Sequence, residues 1–257
     1  MSFLDHLEEL RWRLVRCAIS ILVIAIVLWW FQEWIMNNVF LSLKDPKFIS
    51  YRLMCESFGM CTEEIPVKMQ STTMAGQFSY ALMMSGIGGV VLSFPYIFYQ
   101  IWSFVKPGLK QNERSVVKGI VFYVSILFFL GIFFGYFIVA PMCVQFFGTY
   151  QMSKDIENIF TINSYMSTII STVFYSGLLF LMPVVMYLFA KLGIITPSFL
   201  RKYRKHAIVG VLILSAVITP PDMISQIIVS IPIVLLYEIS ILITARVEKN
   251  RNKLENQ

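Results

Sequence analysis

Asp5, Glu8 and Glu9 crowd three carboxylates into the first turns of the chain, and Arg11, Arg13 and Arg16 follow at once. Glu113 stands between Lys110 and Arg114, while Asp222 and Glu238 stand beside or within long apolar runs. Carboxylates so placed suit the recognition of a cation, above all a guanidinium, whose planar fork meets two carboxylate oxygens at once. Covalent chemistry has less to work with. The two histidines, His6 and His206, both lie beside charged residues, which leaves any serine at membrane depth without a base and sets aside an intramembrane hydrolase. No GxxxxGK[ST] run is present, so nucleotide hydrolysis is not expected. The four cysteines are too scattered for a disulfide framework and lack metal-site spacing, so no metal or other cofactor is expected. Cys55 and Cys61 enclose five residues, including Gly59. A small disulfide ring and two free thiols both remain open there.

The elements that carry these residues must be helices in lipid. Of 257 residues 57% are hydrophobic and 14% charged, against about a quarter charged in a soluble domain. Several apolar runs reach the roughly 20 residues that a helix needs to cross about 30 Å of hydrocarbon, and in lipid a helix satisfies its own amides. Runs near 17–35, 78–102, 119–139, 165–188, 207–218 and 224–243 predict an all-α membrane protein with six transmembrane helices in one integral membrane domain. Residues 1–16 form an amphipathic helix, 36–77 a long periplasmic loop and 245–257 a cytoplasmic tail. The first run is read as a retained span, because acidic residues precede it and no small-residue cleavage site follows Trp29 and Trp30. Sixteen Lys and Arg on one side of this topology against five on the other place both termini in the cytoplasm of a multi-pass inner-membrane protein. The net charge of +6 is then a topology signal with an attraction for anionic lipid, not a nucleic-acid footprint.

Within this frame Phe3, Leu7, Leu10 and Leu14 make one apolar stripe, with Asp5, Glu8 and Glu9 off it. The ordinary role for Glu9 is an i,i+4 pair with Arg13. Pro95 is expected to kink the second span, and Gly86, Gly88, Gly89 and the Gly131/Gly135 pair to let helices approach closely. The fifth span, 12 residues long, covers only about 18 Å. Pro232 interrupts the sixth, so the two are expected to form a short hairpin in thinned lipid. Asp222, after Pro220 and Pro221, is expected to cap the last helix. Glu238 is expected to be a buried polar group facing the concave side, kept protonated by desolvation.

Four pieces resemble the TatC family, in family order across nearly the whole chain: Phe3 to Arg11; Phe94-Pro95 to Leu109 with Asn112-Glu113-Arg114; Gly193-Ile194-Ile195-Thr196-Pro197 with Leu200-Arg201-Lys202; and Thr219-Pro220-Pro221-Asp222 with Ser225-Gln226. The resemblance implies a concave, non-enzymatic receptor of the twin-arginine protein translocase, driven by the proton-motive force. Glu9, Glu113 and Phe104, with Arg11 of the opening motif, would bind the Arg-Arg signal peptides of folded cargo. TatA-type single-span subunits, with TatB-type ones where present, would be partners, and a homo-oligomer is expected within the complex. The partner helix is expected to dock on the last hairpin near Ala216, Thr219 and Gln226. Leu181, two positions before Pro183, and Leu43 depart from the family pattern, which has a polar residue and a proline there. The alternative is a secondary transporter using Glu238 and Asp222 as coupling groups.

Overall fold

The computed structural model describes residues 3–58, 68–105, 117–153, 158–219 and 223–255. Among them, five helices are long and apolar enough to cross a membrane: His6–Trp30, Gly76–Val105, Gly119–Thr149, Ile162–Lys191 and Ser225–Lys249. The amphipathic start and the first span are not separate, because α1 (Phe3–Trp30) runs through both, and the short α2 (Gln32–Ile35) follows. The stretch read as a loop holds a π-helical turn, Met36–Phe40, a 3-10 turn, Leu41–Lys44, and α3 (Ile49–Phe58). The chain groups into two compact units, one of Met1–Phe48, Thr62–Ile126 and Gln151–Ile170, the other of Ile49–Cys61, Leu127–Tyr150 and Ser171–Gln257.

In the first unit α1 lies antiparallel against α4 (Gly76–Val105), which carries Pro95 without a break. The seam is set by small residues. A Cβ on Gly89 would lie 2.8 Å from the Ile21 carbonyl oxygen, and one on Gly88 would meet only the tip of Leu28. Gly86, expected to share this role, faces open space. Leu43 is fully buried, and the Tyr165 hydroxyl donates to the Phe40 carbonyl at 2.6 Å. The fold is also not purely helical. β1 (Lys68–Gln70) pairs in parallel with β2 (Ile159–Thr161), Lys68 opposite Ile159 and Gln70 opposite Thr161. These segments flank spans, where water satisfies the backbone groups that a two-stranded pairing leaves open.

The third span begins with α5 (Val117–Phe134) and continues past its expected end at Val139, through a π-helical turn, Gly135–Val139, into α6 (Ala140–Thr149). Pro141, which reads as a stop, occupies the first turn of α6, where its missing N–H is tolerated. That proline leaves the Phe137 carbonyl without its usual donor four residues on, and the Ser50 hydroxyl of α3 donates to it. Tyr51 donates to the Pro141 carbonyl at 3.0 Å. Gly131 and Gly135 press on α7 (Ile162–Phe180), where a Cβ on Gly131 would lie 2.7 Å from the Ser176 carbonyl oxygen.

The fourth span breaks at Leu181, with Pro183 in the first turn of α8 (Met182–Lys191). That helix closes at a glycine. Gly193 takes a φ of 75°, its N–H donates to Ala190, and that of Ile194 to Phe189, a Schellman closure open chiefly to glycine. Thr196 then caps α9 (Pro197–Lys202) by accepting from the Phe199 N–H at 3.3 Å. Next, α10 (Arg204–Ile218) has 15 residues, about 22 Å, so it stays short. The last helix does not. α11 (Met223–Glu255) has 33 residues and contains Pro232 within it. Apolar packing carries it through: Val229 and Ile233 are buried with Val139, Cys143 and Val211, and a proline is tolerated where neighbouring elements support the helix.

Candidate functional site

The acidic opening of α1 meets the last turns of α4. Helical spacing places His6, Glu9 and Arg13 on one face, three and four residues apart. Arg13 donates to Oε1 of Glu9 through Nε at 2.9 Å and Nη2 at 2.5 Å. Its Nη1 crosses to α4, reaching Oε1 of Gln100 at 3.2 Å and the Gln100 carbonyl at 3.4 Å. Gln100 is 5% exposed, and its buried side-chain oxygen is satisfied by this guanidinium. Nδ1 of His6 stands 4.0 Å from Oε2 of Glu9, and the imidazole stacks on Phe104, with centroids 4.2 Å apart and planes 12° apart.

One Glu9 oxygen is therefore held by Arg13, and the other lies beside a histidine–phenylalanine platform. A half-buried carboxylate of fixed orientation next to aromatic rings can accept an N–H donor and give a guanidinium a flat surface to lie on. Of the expected site residues, Glu9 and Phe104 come together, joined by His6. Arg11 points elsewhere, over its neighbour Trp12 at 5.7 Å. Glu113 lies outside the described residues. Arg13 is the partner that spacing predicts for Glu9, while the sequence reading gives neither His6 nor Gln100 a place in the site, although a glutamine in an apolar run and a histidine one turn before a glutamate are visible signals.

On the last hairpin, Thr219 is 6% exposed and its hydroxyl donates to the Ser215 carbonyl at 2.7 Å. This is a threonine hydroxyl bonding back one turn at the C-cap of α10. Gln226 Nε2 donates to the Leu212 carbonyl at 3.0 Å, tying α11 to α10. Ala216 remains exposed, flanked by Ile213 and Val217. Glu238 is not the buried group expected. Its side chain is 38% exposed and pairs with Arg204, Nε to Oε1 and Nη2 to Oε2, both at 2.8 Å. Short α10 starts level with the middle of α11, which brings the Arg204 guanidinium alongside. Pro95 keeps its structural place inside α4, and Asp222 lies outside the described residues. Cys55 is disulfide-bonded, whereas Cys17 and Cys143 are buried thiols outside any disulfide; Cys61 lies outside the described residues. Among the described residues no three His, Cys, Asp or Glu side chains gather as a metal would need.

The family model described as "TatC: Sec-independent protein translocase protein (TatC)" matches residues 5–232. A Sec-independent protein translocase protein TatC of Blattabacterium sp. subsp. Periplaneta americana is 37% identical over 98% of this chain and 97% of its own length. TatCy of Bacillus subtilis is 34% identical over 98% of this chain and 92% of its own. Among solved structures, the "Crystal Structure of Twin Arginine Translocase Receptor- TatC in DDM" is similar with a TM-score of 0.71 and 30% identity, covering 93% of this chain and 99% of that one. The matched stretch runs from the acidic opening of α1 through Pro232 of α11, and it sets the transporter alternative aside. A multispanning helical chain that matches on this scale, in sequence and in fold, belongs to the TatC family, a component of the Sec-independent, twin-arginine protein translocase.

Proposed function

We propose that this chain receives twin-arginine signal peptides at the end of α1 and α4, with Glu9 as the carboxylate that reads one of the two arginines. The observation that carries this reading is the Glu9 carboxylate, held on one oxygen by Arg13 with its other oxygen beside the stacked rings of His6 and Phe104. An incoming guanidinium donates to Oε2 and lies over the aromatic platform, while a lysine ammonium satisfies only the charge. Glu113, in the sequence between α4 and α5, supplies the second carboxylate. Both termini lie in the cytoplasm, six helices including the short α10 cross the inner membrane, and a single-span TatA-type partner packs on the exposed Ile213, Ala216 and Val217 side of α10, with homo-oligomers in the working complex.

The test is binding of a twin-arginine peptide and its twin-lysine counterpart to the purified protein. Glu9→Gln, and separately Glu113→Gln, should weaken the Arg-Arg peptide by roughly tenfold or more, since a charge-assisted hydrogen bond is worth about 1.5–3 kcal/mol. Preference for Arg-Arg retained in the double alanine variant overturns the assignment.

A further inference from the structure

A recess of about 450 Å³ opens in the first unit, at the end of the helices opposite Glu9. Three spans end there: Trp29 lies in the last turn of α1, Gln77 and Phe78 in the first turn of α4, and Ile162 opens α7. The ends of three apolar helices mark the depth at which hydrocarbon gives way to water. Trp30, 84% exposed, and Trp34, 62% exposed, stand beside it, as indoles do at that boundary.

The walls have one chemical character. Glu33 contributes a carboxylate, and Gln32, Asn37 and Gln77 contribute side-chain amides. Among the described residues, no Lys, Arg or His lines the recess. Trp29 and Phe78 meet edge to face at 5.5 Å, and with Tyr80 they line the recess. Met84 and Met166, 6% and 2% exposed, form an apolar floor. A carboxylate beside aromatic rings attracts a cation both by charge and by the ring quadrupole. The amide oxygens accept further N–H donors, and the amide N–H₂ groups can donate to an anionic oxygen.

We propose that this recess binds the headgroup of an amine-bearing membrane phospholipid of the phosphatidylethanolamine type. The primary ammonium donates to Glu33 and to amide oxygens against the aromatic rings, the phosphate accepts from the side-chain amides, and the acyl chains follow the spans into the bilayer. A choline headgroup keeps the cation but has no N–H to donate, and a glycerol headgroup has hydroxyls but no cation, so its phosphate leaves it net negative beside Glu33. The recess therefore discriminates by headgroup, not by tail. It shares no residue with the Glu9 site.

Native mass spectrometry of the full chain in detergent tests this, with phosphatidylethanolamine, phosphatidylcholine and phosphatidylglycerol of identical acyl chains supplied in equal amounts. The ethanolamine adduct should exceed each of the others by roughly tenfold, as loss of a charge-assisted contact implies. Glu33→Gln, at an exposed position where an isosteric change leaves folding intact, should bring the three adducts level. Glu248→Gln, which removes a carboxylate far along α11, should leave the preference unchanged. Ala81→Phe should fill the recess and abolish the ethanolamine adduct, with twin-arginine peptide binding retained. Equal adducts for all three lipids in the unaltered protein, or an undiminished ethanolamine preference in Glu33→Gln, overturn the proposal. So does a lysine-rich peptide that saturates Glu33 while no lipid is selected, which assigns the recess to a basic protein segment.

Discussion

The imidazole of His6 lies flat on the ring of Phe104, 4.2 Å between centroids, and joins the start of α1 to the end of α4. The stack holds the two helix ends in one register and places His6 against Glu9. Its contribution is separable from any charge on the histidine. His6→Phe should keep the platform and bind a twin-arginine peptide within about threefold of the unaltered protein, whereas His6→Ala should lose roughly tenfold, an aromatic pair being worth about 0.5–1.5 kcal/mol beyond its buried area. Peptide titration decides it, and equal affinity in the alanine variant removes the platform from the site.

Ser50 and Phe137 make the second testable contact. The hydroxyl satisfies a carbonyl that Pro141 leaves without its helical donor. Ser50→Ala should lower the stability of the purified protein by about 1–3 kcal/mol, the cost of an unsatisfied buried acceptor. Changing Pro141→Ala in the same chain should restore part of it, because the backbone then supplies its own donor. Thermal unfolding in detergent measures both.

Glycines of similar appearance should behave differently. A Cβ on Gly131 would fall 2.7 Å from the Ser176 oxygen and 2.8 Å from the Gly177 Cα, both backbone atoms that cannot move aside. A Cβ on Gly86 would meet nothing within 4 Å. Gly131→Ala should therefore destabilise by about 1–3 kcal/mol, and Gly86→Ala should be neutral or slightly stabilising, since alanine favours the helix by up to about 1 kcal/mol. The melting temperatures of the two variants check the contrast.

Arg204 and Glu238 form a well-aligned pair, but both side chains are more than a third exposed within the protein, 46% and 38%. Exposed pairs contribute about 0–1 kcal/mol. Glu238→Gln keeps a hydrogen-bond acceptor for Arg204 and should leave melting temperature and export of a folded twin-arginine reporter near normal. A reporter retained in the cytoplasm, with normal protein levels, would assign the charge a direct role.

Periodicity and composition determined the helical membrane class, because burial in lipid is a property of each segment taken alone and an apolar helix needs no partner to satisfy its amides. Local rules also sufficed where the chemistry is local. The turn through Gly193, the cap by Thr196 and the pairing of Glu9 with Arg13 were all legible, since their partners lie within four residues. Prolines misled where they were read one at a time. Pro141 read as the end of the third span and Pro232 as an interruption of the sixth, yet Ser50 covers the carbonyl behind the first and buried Val229 and Ile233 hold the helix through the second. Tertiary structure alone decided the site. Arg13 and Gln100 stand 87 positions apart, as do Ser50 and Phe137, and nothing in either segment states which turn will face which. That register follows from close packing, such as Gly89 against the Ile21 carbonyl, which sets how far one helix slides along another. It makes His6, which the sequence places only beside charged residues, the link between Glu9 and Phe104, and sets Glu238 beside Arg204.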